Sequence, residues 1–357
     1  MPKLTTAAES KSHSTHMRVV MLTLDTHLSS AANRSAARLA QKMPGLELRL
    51  HAASEYRASD DALQKCLHDI QRADMVIATM LFMEDHYLPV IEAMKARRDH
   101  CDAMVCIMSA PPVMQLTRMG KLTMGGKSSG LMELLKKLRP KAKENAEEKT
   151  SSKSEGAKQM AMLRRLPKLL RFIPGTAQDL RYFFLTMRYW LAGSEQNITN
   201  MILMLVKRYA DPKRPGYRQL ADADEPIEYP EVGLYHPKMK GKIAESLQQL
   251  PRGAEDKPAV GLLLLRSYLL AGNALHYDAV IAAIESRGLR VIPAFASGLD
   301  SRPAIENFFI RDGKSQIDAL VSLTGFSLVG GPAYNDAKAA EQILAQLDVP
   351  YIAAHPV

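Results

Sequence analysis

The stretch 260-VGLLLLRSYLLAGNALHYDAVIAAIESRGLRVIPAFASGLD-300 contains two short apolar runs separated by a helical pattern. Residues 259–265 and 290–296 are apolar and bounded by polar residues, which is typical of buried strands. Residues 274–288 repeat their apolar side chains at helical spacing. A strand, a helix and a second strand in this order predict two parallel strands joined by a crossover helix.

The same alternation of strands and helices occurs toward both ends of the chain. The other strand candidates are 18–24, 46–52, 75–80, 103–110, 319–324 and 350–354. Alternation of this kind predicts the α/β fold class, with two three-layer, flavodoxin- or Rossmann-like domains built on parallel sheets. We place these domains at 17–125 and 228–357.

The part of the chain between the two predicted domains, 126–227, has a different composition. Residues 112–138 look helical and increasingly basic, and 162–210 are helical, apolar and aromatic. Residues 141–158 and the polar segment 1–16 contain too few apolar residues to build a core, so we expect them to be disordered. We therefore predict a basic helical insertion with linkers over 126–227.

Two features concern the boundaries of the second predicted domain. Residues 210–230 are rich in proline and charge, which predicts a linker before this domain. The chain stops at Val357, shortly after the strand candidate 350–354, although an α/β domain often closes with a helix. We therefore expect the second domain to be truncated at its C-terminus.

Composition argues against several classes of protein. The 357 residues are 46% hydrophobic and 24% charged, as in an ordinary globular protein. We find no apolar stretch long enough to span a bilayer, and the N-terminus lacks the apolar centre of a signal peptide. The three cysteines, Cys66, Cys101 and Cys106, show no zinc or disulfide spacing. These features lead us to expect a cytoplasmic protein without disulfides.

The net charge of +9 is concentrated in one part of the chain. Residues 121–220 hold 21 Lys and Arg against 8 Asp and Glu, so the remainder is slightly acidic. The basic pI is therefore no argument for nucleic-acid binding, and we predict none. Within this part, 162–192 carry arginines among Leu, Phe, Tyr and Trp. This pattern suits a helix packed on the sheet with its basic face in water, a membrane-surface helix or an RNA-stacking surface.

Motifs for phosphate, metal or nucleophile chemistry are weak. Gly120–Ser128 resembles a phosphate-binding loop, but its spacing is wrong and it follows a predicted helix rather than a strand. Gly325–Pro332 does follow a strand, so it is either a loop whose N–H groups face a ligand or a tight turn. His86 and His276 each stand alone, without further metal ligands at suitable spacing. We assign no catalytic residue and no metal site.

Polar side chains cluster where the two strands of the opening stretch end. Because parallel strands end at one edge of a sheet, where open α/β folds bind ligands, we predict a ligand site there. Arginines at this edge suit ligand carboxylates, while loop contacts and a salt bridge are the alternative. Asn273 is expected to cap the helix that carries His276. The candidate binding residues are Arg266, Ser267, Tyr268, His276, Ser297, Asp300 and Arg302.

Several strings of the sequence resemble one family. The string RSYLLAGNALHYDAVIAAIESRGLRVIPAFASGLDSRPAIENFF at 266–309 is similar to the start of the large-subunit domain shared by the magnesium chelatase H subunit and cobaltochelatase. The string MRVVMLTLDTH at 17–27 resembles the additional N-terminal domain of the magnesium chelatase member. IPGTAQDLRYFFLTMRYWLAGSEQN at 173–197 and TGFSLVGGPAYND at 324–336 extend the resemblance over nearly the whole chain.

The resemblance implies a function. The family's large subunit binds protoporphyrin IX for ATP-driven Mg²⁺ insertion, the first committed step of (bacterio)chlorophyll synthesis, while two AAA+-type motor subunits hydrolyse the ATP. This chain would then be the N-terminal part of such a subunit, inactive alone and without a bound cofactor of its own. Expected further partners are a downstream methyltransferase and a peripheral membrane contact. Tyr268, Leu269 and Phe295 are candidates for an apolar wall beside the macrocycle, or for core packing.

Two alternatives stay open. The first is the cobaltochelatase large subunit of cobalamin synthesis, against which the resemblance at 17–27 argues. The second is an interaction scaffold that docks the motor subunits or a membrane without touching porphyrin, which the basic part 121–220 suggests. A comparison of protoporphyrin binding with binding of a corrinoid precursor distinguishes the magnesium chelatase subunit from the first alternative. Quenching of porphyrin fluorescence distinguishes a porphyrin-binding subunit from the second.

Overall fold

The computed structural model describes residues 16–24, 26–125, 166–251, 256–331 and 334–354. The chain divides into two compact units between Ile227 and Glu228. The disorder predicted for 1–16 and 141–158 falls outside the described residues, apart from His16. Among the helices described here, none is long and apolar enough to span a membrane.

The first unit is built on a six-stranded sheet. Its strands are β1 (Met17–Thr23), β2 (Leu46–Ala52), β3 (Met75–Thr79), β4 (Ala103–Ile107), β5 (Arg118–Met119) and β6 (Leu122–Thr123). They lie in the order β2-β1-β3-β4-β5-β6. The first four strands are parallel, and β5 and β6 form a hairpin that pairs antiparallel to β4.

The helices of this unit cover the sheet. They are α1 (Ser29–Lys42), α2 (Ala53–Ala58), α3 (Asp60–Arg72), α4 (Glu84–Arg98), α5 (Pro111–Met114), α6 (Thr176–Leu191), α7 (Glu195–Tyr209) and α8 (Pro215–Arg218). Helix α3 begins where the Ser59 hydroxyl accepts from the Ala62 N–H, as the Ser-Asp-Asp pattern indicated. Val20 and Leu22 of β1 point to the face that α3 and α4 cover, because side chains alternate along a strand.

The helix predicted over 112–138 is wrong for the described residues beyond Met114. Helix α5 has only four residues, and the β5–β6 hairpin follows it. Gly120 turns this hairpin with a φ of 61°, a conformation that is strained for most other residues. Two-residue strands are too short to show the alternation by which strands are recognised in a sequence.

The described residues 166–227 form part of the first unit. Helix α7 packs against α1. Glu195 at the start of α7 also pairs with Arg34 and Arg38 of α1, at 2.8 and 2.7 Å. Residues 210–218, where we predicted a linker, include helix α8, which packs against α7. Long-range contacts of this kind leave no local pattern in the sequence.

The second unit has a sheet of its own. Its strands are β7 (Val232–Tyr235), β8 (Ile243–Ala244), β9 (Ala259–Leu265), β10 (Arg290–Ala296), β11 (Ile310–Arg311), β12 (Lys314–Ser315), β13 (Ala319–Ser322), β14 (Gly330–Gly331), β15 (Tyr334–Asn335) and β16 (Tyr351–Ala353). The sheet has the order β16-β13-β9-β10-β7-β8, and β11–β12 and β14–β15 are separate hairpins. Strands β7 and β8 run antiparallel at one edge.

Both units repeat the same parallel core. The parallel parts of the two sheets have the orders β2-β1-β3-β4 and β10-β9-β13-β16. In each, the strand that comes first in the chain, β1 or β9, has the second strand on one side and the third and fourth strands on the other. This flavodoxin-like order confirms the predicted α/β class. The antiparallel strands at one edge of each sheet were not predicted.

Helices cover both faces of the second sheet. They are α9 (Arg266–Leu270), α10 (Leu275–Glu285), α11 (Arg302–Phe308) and α12 (Ala337–Leu347). Tyr277 and Ile281 of α10 pack in one core cluster with Phe295, and Ile305 of α11 packs in another with Ile343 of α12. The sheet is therefore buried on both faces, and its strand ends offer the accessible edge.

Candidate functional site

The predicted site residues lie at the carboxyl ends of two neighbouring parallel strands of the second unit. Leu265 at the end of β9 pairs with Ala296 at the end of β10, so the segments that follow both strands begin side by side. Strand β13 lies on the other side of β9. The strand order therefore reverses between β9 and β13, which is where open α/β sheets bind ligands.

Arg266 begins helix α9 directly after β9 and so lies in a helix rather than on a loop. Its Nε donates to the carbonyl oxygen of Pro230 at 2.8 Å, and its Nη2 donates to that of Tyr229 at 3.0 Å. These bonds tie residues 229–230 to the end of β9. They give Arg266 a structural role, and its contact with a ligand carboxylate stays a prediction.

Tyr268, His276 and Tyr277 form an aromatic cluster. The ring centroids of Tyr268 and His276 are 5.5 Å apart, and those of His276 and Tyr277 are 3.9 Å apart. Burial lowers the pKa of His276, and its buried Nε2 has no hydrogen-bond partner among the described residues. Asn273 does not cap helix α10: Ala274 stands at the N-cap, without a side-chain hydrogen bond. Because its pKa is lowered, His276 in this cluster carries a neutral imidazole at neutral pH.

The three candidates for an apolar wall differ in their exposure. Leu269 and Phe295 are 7% and 0% exposed and belong to the core beside α10. Tyr268 is half-buried, and Ser267 beside it is exposed. Core packing is therefore the role of Leu269 and Phe295, and only Tyr268 keeps a surface that a ligand can reach.

Asp300 and Arg302 form a two-bond ion pair at the start of α11. Nε of Arg302 donates to Oδ1 of Asp300 at 2.9 Å, and Nη2 donates to Oδ2 at 2.6 Å. These hydrogen bonds raise the pKa of Arg302 above its ordinary value. Ser297 begins the same segment, and its N–H donates to the Glu231 carbonyl at 2.6 Å. The structure thus places Ser297, Asp300 and Arg302 in one segment after β10, with the arginine already paired.

The segments after β10 and β13 close over this edge of the sheet. Asp300 and Val329 form an antiparallel bridge, and the Gly330 N–H donates to the Leu299 carbonyl at 2.7 Å. The cleft beneath them has a volume of about 10 Å³, which is space for one water molecule at most. Ligand pockets usually measure several hundred Å³. A porphyrin therefore does not fit inside this cleft and has access only to its rim.

We did not predict the side chains that β13 contributes to this edge. Thr324, Phe326 and Ser327 line the cleft, opposite Gly298 and Ser301. Gly325, directly after a predicted strand, was the signal that could have indicated them. In the described part of 325–332, Gly330 bonds to the segment after β10, which favours the structural reading of this glycine-rich turn.

Gly120 of the first phosphate-loop candidate serves packing. A Cβ at Gly120 would lie 2.6 Å from Oδ2 of Asp179, whose carboxylate accepts from the Lys121 N–H at 2.8 Å. Gly120 therefore admits a buried carboxylate to the hairpin turn. Residues 126–128 of this candidate lie outside the described part of the chain. Within that part, no three His, Cys, Asp or Glu side chains form a group suited to a metal.

A larger and more polar groove runs along the free edge of β2 in the first unit. Its volume is about 500 Å³, within the range of small-ligand sites. It is lined by residues 48–52 of β2, Thr26, Ser29, Asn33, Glu55, Lys65, His68 and Asp69. Among these, His51 Nε2 and Asp69 Oδ2 are 2.9 Å apart. We missed this groove because three separate segments of the sequence build it.

Comparison with protein families divides the chain into two matched parts. Residues 18–184 match a family described as a domain of unknown function, DUF3479. Residues 187–357 match the family described as CobN/Magnesium Chelatase. The second match contains all seven predicted site residues.

Individual proteins that are similar to the chain agree with the second family match. The chain is 51% identical over 339 residues to the magnesium-chelatase H subunit of Cereibacter sphaeroides, covering 95% of this chain and 28% of that protein. It is 47% identical to the H subunit of Rhodobacter capsulatus, with 95% and 27% covered. It is 32% identical to the chloroplastic magnesium-chelatase protein ChlH of Oryza sativa subsp. indica, with 96% and 25% covered. The chain thus spans about a quarter of the length of these relatives.

A solved structure is also similar. The catalytic subunit of cobaltochelatase from Mycobacterium tuberculosis has a TM-score of 0.44 and 17% identity, covering 95% of this chain and 21% of that one. The family assignment rests on the sequence relatives and the matched family, and not on this structure. The chain belongs to the family of the magnesium chelatase H subunit and the cobaltochelatase large subunit.

Proposed function

We propose that this chain is part of the porphyrin-binding subunit of a magnesium chelatase. In this role it helps to present protoporphyrin IX for ATP-dependent Mg²⁺ insertion in (bacterio)chlorophyll biosynthesis. The observation that carries the proposal is the 51% identity to a magnesium-chelatase H subunit over 95% of this chain. Because the chain covers 28% of that relative, the proposal concerns a contribution to binding rather than the complete reaction.

The proposal divides the work between subunits. ATP hydrolysis belongs to two AAA+-type motor subunits, and the chelatase acts as a ligase that forms nitrogen–metal bonds. In support, the glycine-rich hairpin at Gly120 is occupied by the Asp179 carboxylate, which would repel a phosphate. The same proposal also expects that the subunit works in the cytoplasm and that the product passes to a methyltransferase.

Within the second unit, the rim beside Arg302 is the best candidate for a porphyrin contact. Protoporphyrin carries two propionates, and an arginine binds a carboxylate through two parallel hydrogen bonds. Arg302 already makes such a pair with Asp300, so a propionate must compete with that carboxylate. Leu299, beside them, is 45% exposed and offers an apolar contact for the macrocycle edge.

Two other functions are distinguishable. The cobaltochelatase reading is not favoured, since the relatives with 51%, 47% and 32% identity are all magnesium-chelatase subunits. A scaffold that docks the motor subunits without touching porphyrin has one specific observation in its favour, the 10 Å³ cleft at the predicted site. It is the second candidate.

Titration of protoporphyrin IX with the purified chain tests the proposal. We expect quenching of porphyrin fluorescence that saturates, with weaker binding of a corrinoid precursor of cobalamin. Saturable binding of the corrinoid in preference would move the chain to the cobaltochelatase branch. No binding of either ligand, together with binding of the motor subunits, would establish the scaffold.

A further inference from the structure

The polar groove of the first unit, which we call the β2 groove, runs along an unpaired strand edge. Among the described strands, β2 pairs only with β1. The Met17 N–H donates to the Gly45 carbonyl at 2.9 Å, and in a parallel ladder this register turns every second residue of β2 away from β1. Leu48 and Leu50 are turned outward in this way and line the groove. Their main-chain N–H and C=O groups therefore face it, as they would face a further strand.

The two sides of the groove differ in polarity, because side chains alternate along β2. Arg49 and His51 point to the face that α3 covers, where His51 Nε2 lies 2.9 Å from Oδ2 of Asp69. Leu48 and Leu50 point to the opposite face, where α1 packs against β2. One side of the groove is therefore aliphatic and the other is polar.

The polar side attracts negative charge next to Arg49. The Arg49 side chain is 53% exposed and pairs with Glu47, but the Glu47 carboxylate is also bound by Arg18 at 2.7 Å. One carboxylate thus serves two guanidinium groups. Lys65 lines the same side, and its pair with Asp61 is exposed to solvent. An acidic side chain beside Arg49 therefore gains a favourable contact, as opposite charges on neighbouring strands do.

The helices beside β2 decide what can pair with it. Ser29 and Asn33 of α1 line one side of the groove, and Lys65 and His68 of α3 line the other. In a second copy, β2 lies between the same two helices, which would collide before the two strands came within about 4.8 Å. A single extended peptide brings no helices with it. Residues 48–52 offer an edge of about 16 Å, enough for five residues of such a peptide.

We propose that the β2 groove binds an extended acidic peptide, which adds a strand to the free edge of the first sheet. Main-chain hydrogen bonds to Leu48 and Leu50 supply affinity, and the side chains on either side of β2 supply specificity. Aliphatic side chains of the peptide lie beside the leucines, and acidic ones lie beside Arg49. Glu55 follows β2 in the chain, so the acidic preference applies to positions along the strand. Peptide binding there does not depend on the porphyrin proposal.

Fluorescence anisotropy of a labelled peptide with the 357-residue chain tests strand addition. The probe is Thr-Val-Glu-Val-Glu-Val-Thr, capped at both ends, and we expect saturable binding. Two further probes carry N-methyl groups on two valine amides or on the two glutamate amides, which face opposite edges of an extended peptide. Because only one edge meets β2, one isomer should lose affinity about tenfold or more, and the other should bind like the parent. Equal affinities of the two isomers would overturn the proposal.

Arg49→Glu tests the charge preference. This variant should bind the acidic probe about fivefold or more weakly, and it should bind the lysine counterpart, Thr-Val-Lys-Val-Lys-Val-Thr, more tightly than the wild type does. Lys95→Glu is the matched control, because Lys95 of α4 is also 53% exposed and pairs with Glu92 at 2.7 Å but does not line the groove. It should bind the acidic probe like the wild type.

Melting curves should show that both variants are folded, and the two methylated isomers test the wild-type chain without any variant. Absence of saturable binding of the acidic probe would overturn the proposal, as would equal binding by a folded Arg49→Glu variant and the wild type. Sedimentation velocity adds a further check. Self-association of the chain that Arg49→Glu abolishes would assign the β2 edge to a second copy, and would also overturn the proposal.

Discussion

The guanidinium of Arg302 is held by the carboxylate of Asp300, two residues earlier, through bonds of 2.9 and 2.6 Å. If a porphyrin propionate binds Arg302, it must displace this carboxylate. Asp300→Asn should therefore tighten protoporphyrin binding, and Arg302→Ala should weaken it about tenfold or more, since a charge-assisted contact is worth about 1.5–3 kcal/mol. Fluorescence titration of both variants measures the two opposite effects.

Arg311→Ala is the control for this pair. Arg311 is in the same unit, and its side chain is 79% exposed. Its Nε lies 3.9 Å from Oδ2 of Asp312, whose side chain is 93% exposed. We expect no change in porphyrin affinity, because an exposed and distant ion pair is largely screened. If Asp300→Asn and Arg302→Ala also leave the affinity unchanged, the rim beside Arg302 is not a porphyrin contact.

Arg266 should matter for folding. Its side chain donates to the carbonyls of Tyr229 and Pro230. Arg266→Ala leaves these acceptors without their donor and should lower the free energy of unfolding by about 1–3 kcal/mol. Arg266→Lys should restore only part of it, because an ammonium lacks the planar fork of donors. Urea unfolding followed by circular dichroism measures the loss, and wild-type stability of Arg266→Ala would contradict the structural role.

Arg214 joins two strands of the first unit at their amino ends. Its Nη2 lies 2.5 Å from Asp74, just before β3, and its Nη1 lies 2.8 Å from Asp102, just before β4. Arg214→Ala leaves two partly buried carboxylates close together and should cost roughly 1–3 kcal/mol of stability. The single tryptophan, Trp190, is 4% exposed in this unit, so its fluorescence reports the unfolding.

Lys207→Ala provides the comparison for Arg214. Lys207 makes one ion pair, at 2.7 Å, with Asp222, whose side chain is 94% exposed. Its removal should change stability by less than about 1 kcal/mol. Equal effects of Lys207→Ala and Arg214→Ala would show that the bridge between the two strands contributes no more than a surface pair.

The second unit should lose stability as the pH falls below about 6.5. His236 is 2% exposed, its Nδ1 accepts from the Lys238 N–H, and its Nε2 faces Glu285 at 3.1 Å. Burial lowers the pKa of His236 despite Glu285. The unfolded chain therefore binds a proton at a higher pH than the folded chain, so acidification favours unfolding.

Thermal unfolding between pH 8 and pH 5 measures this dependence. His236→Gln, which cannot gain the proton, should show a shallower decline with acid. His68→Gln, at an exposed position of α3, should follow the wild type. A decline as steep in His236→Gln as in the wild type would assign the effect to another group of this unit, such as His276, whose pKa burial also lowers.

The parallel core was predictable because its signals are local. Most of its strands are short apolar runs, β2 alternates apolar and polar residues, and helices such as α3 start at a recognisable cap. The β5–β6 hairpin was missed, since its strands have two residues each. Helix α8 was read as a linker, because the bonds of Arg214 to Asp74 and Asp102 join residues more than 100 positions apart.

The placement of the candidate residues at one edge of the sheet was predictable, but their contacts were not. Strand order placed Arg266, His276 and Arg302 at one edge of the sheet, as parallel strands require. Single side-chain contacts, such as that of Arg302 with Asp300, decide which arginines are already paired within the protein. Closure of the edge depended on the pairing of Asp300 with Val329. Neither contact has a sequence pattern of its own.

Magnesium insertion by a chimera tests the central proposal most directly. This chain would replace its 51% identical counterpart in the magnesium-chelatase H subunit of Cereibacter sphaeroides, and Mg-protoporphyrin would be measured with the motor subunits, ATP and Mg²⁺. We predict that the chimera forms Mg-protoporphyrin, and that the same protein without the segment forms markedly less. A folded chimera that binds the motor subunits but forms no Mg-protoporphyrin would contradict the proposed function.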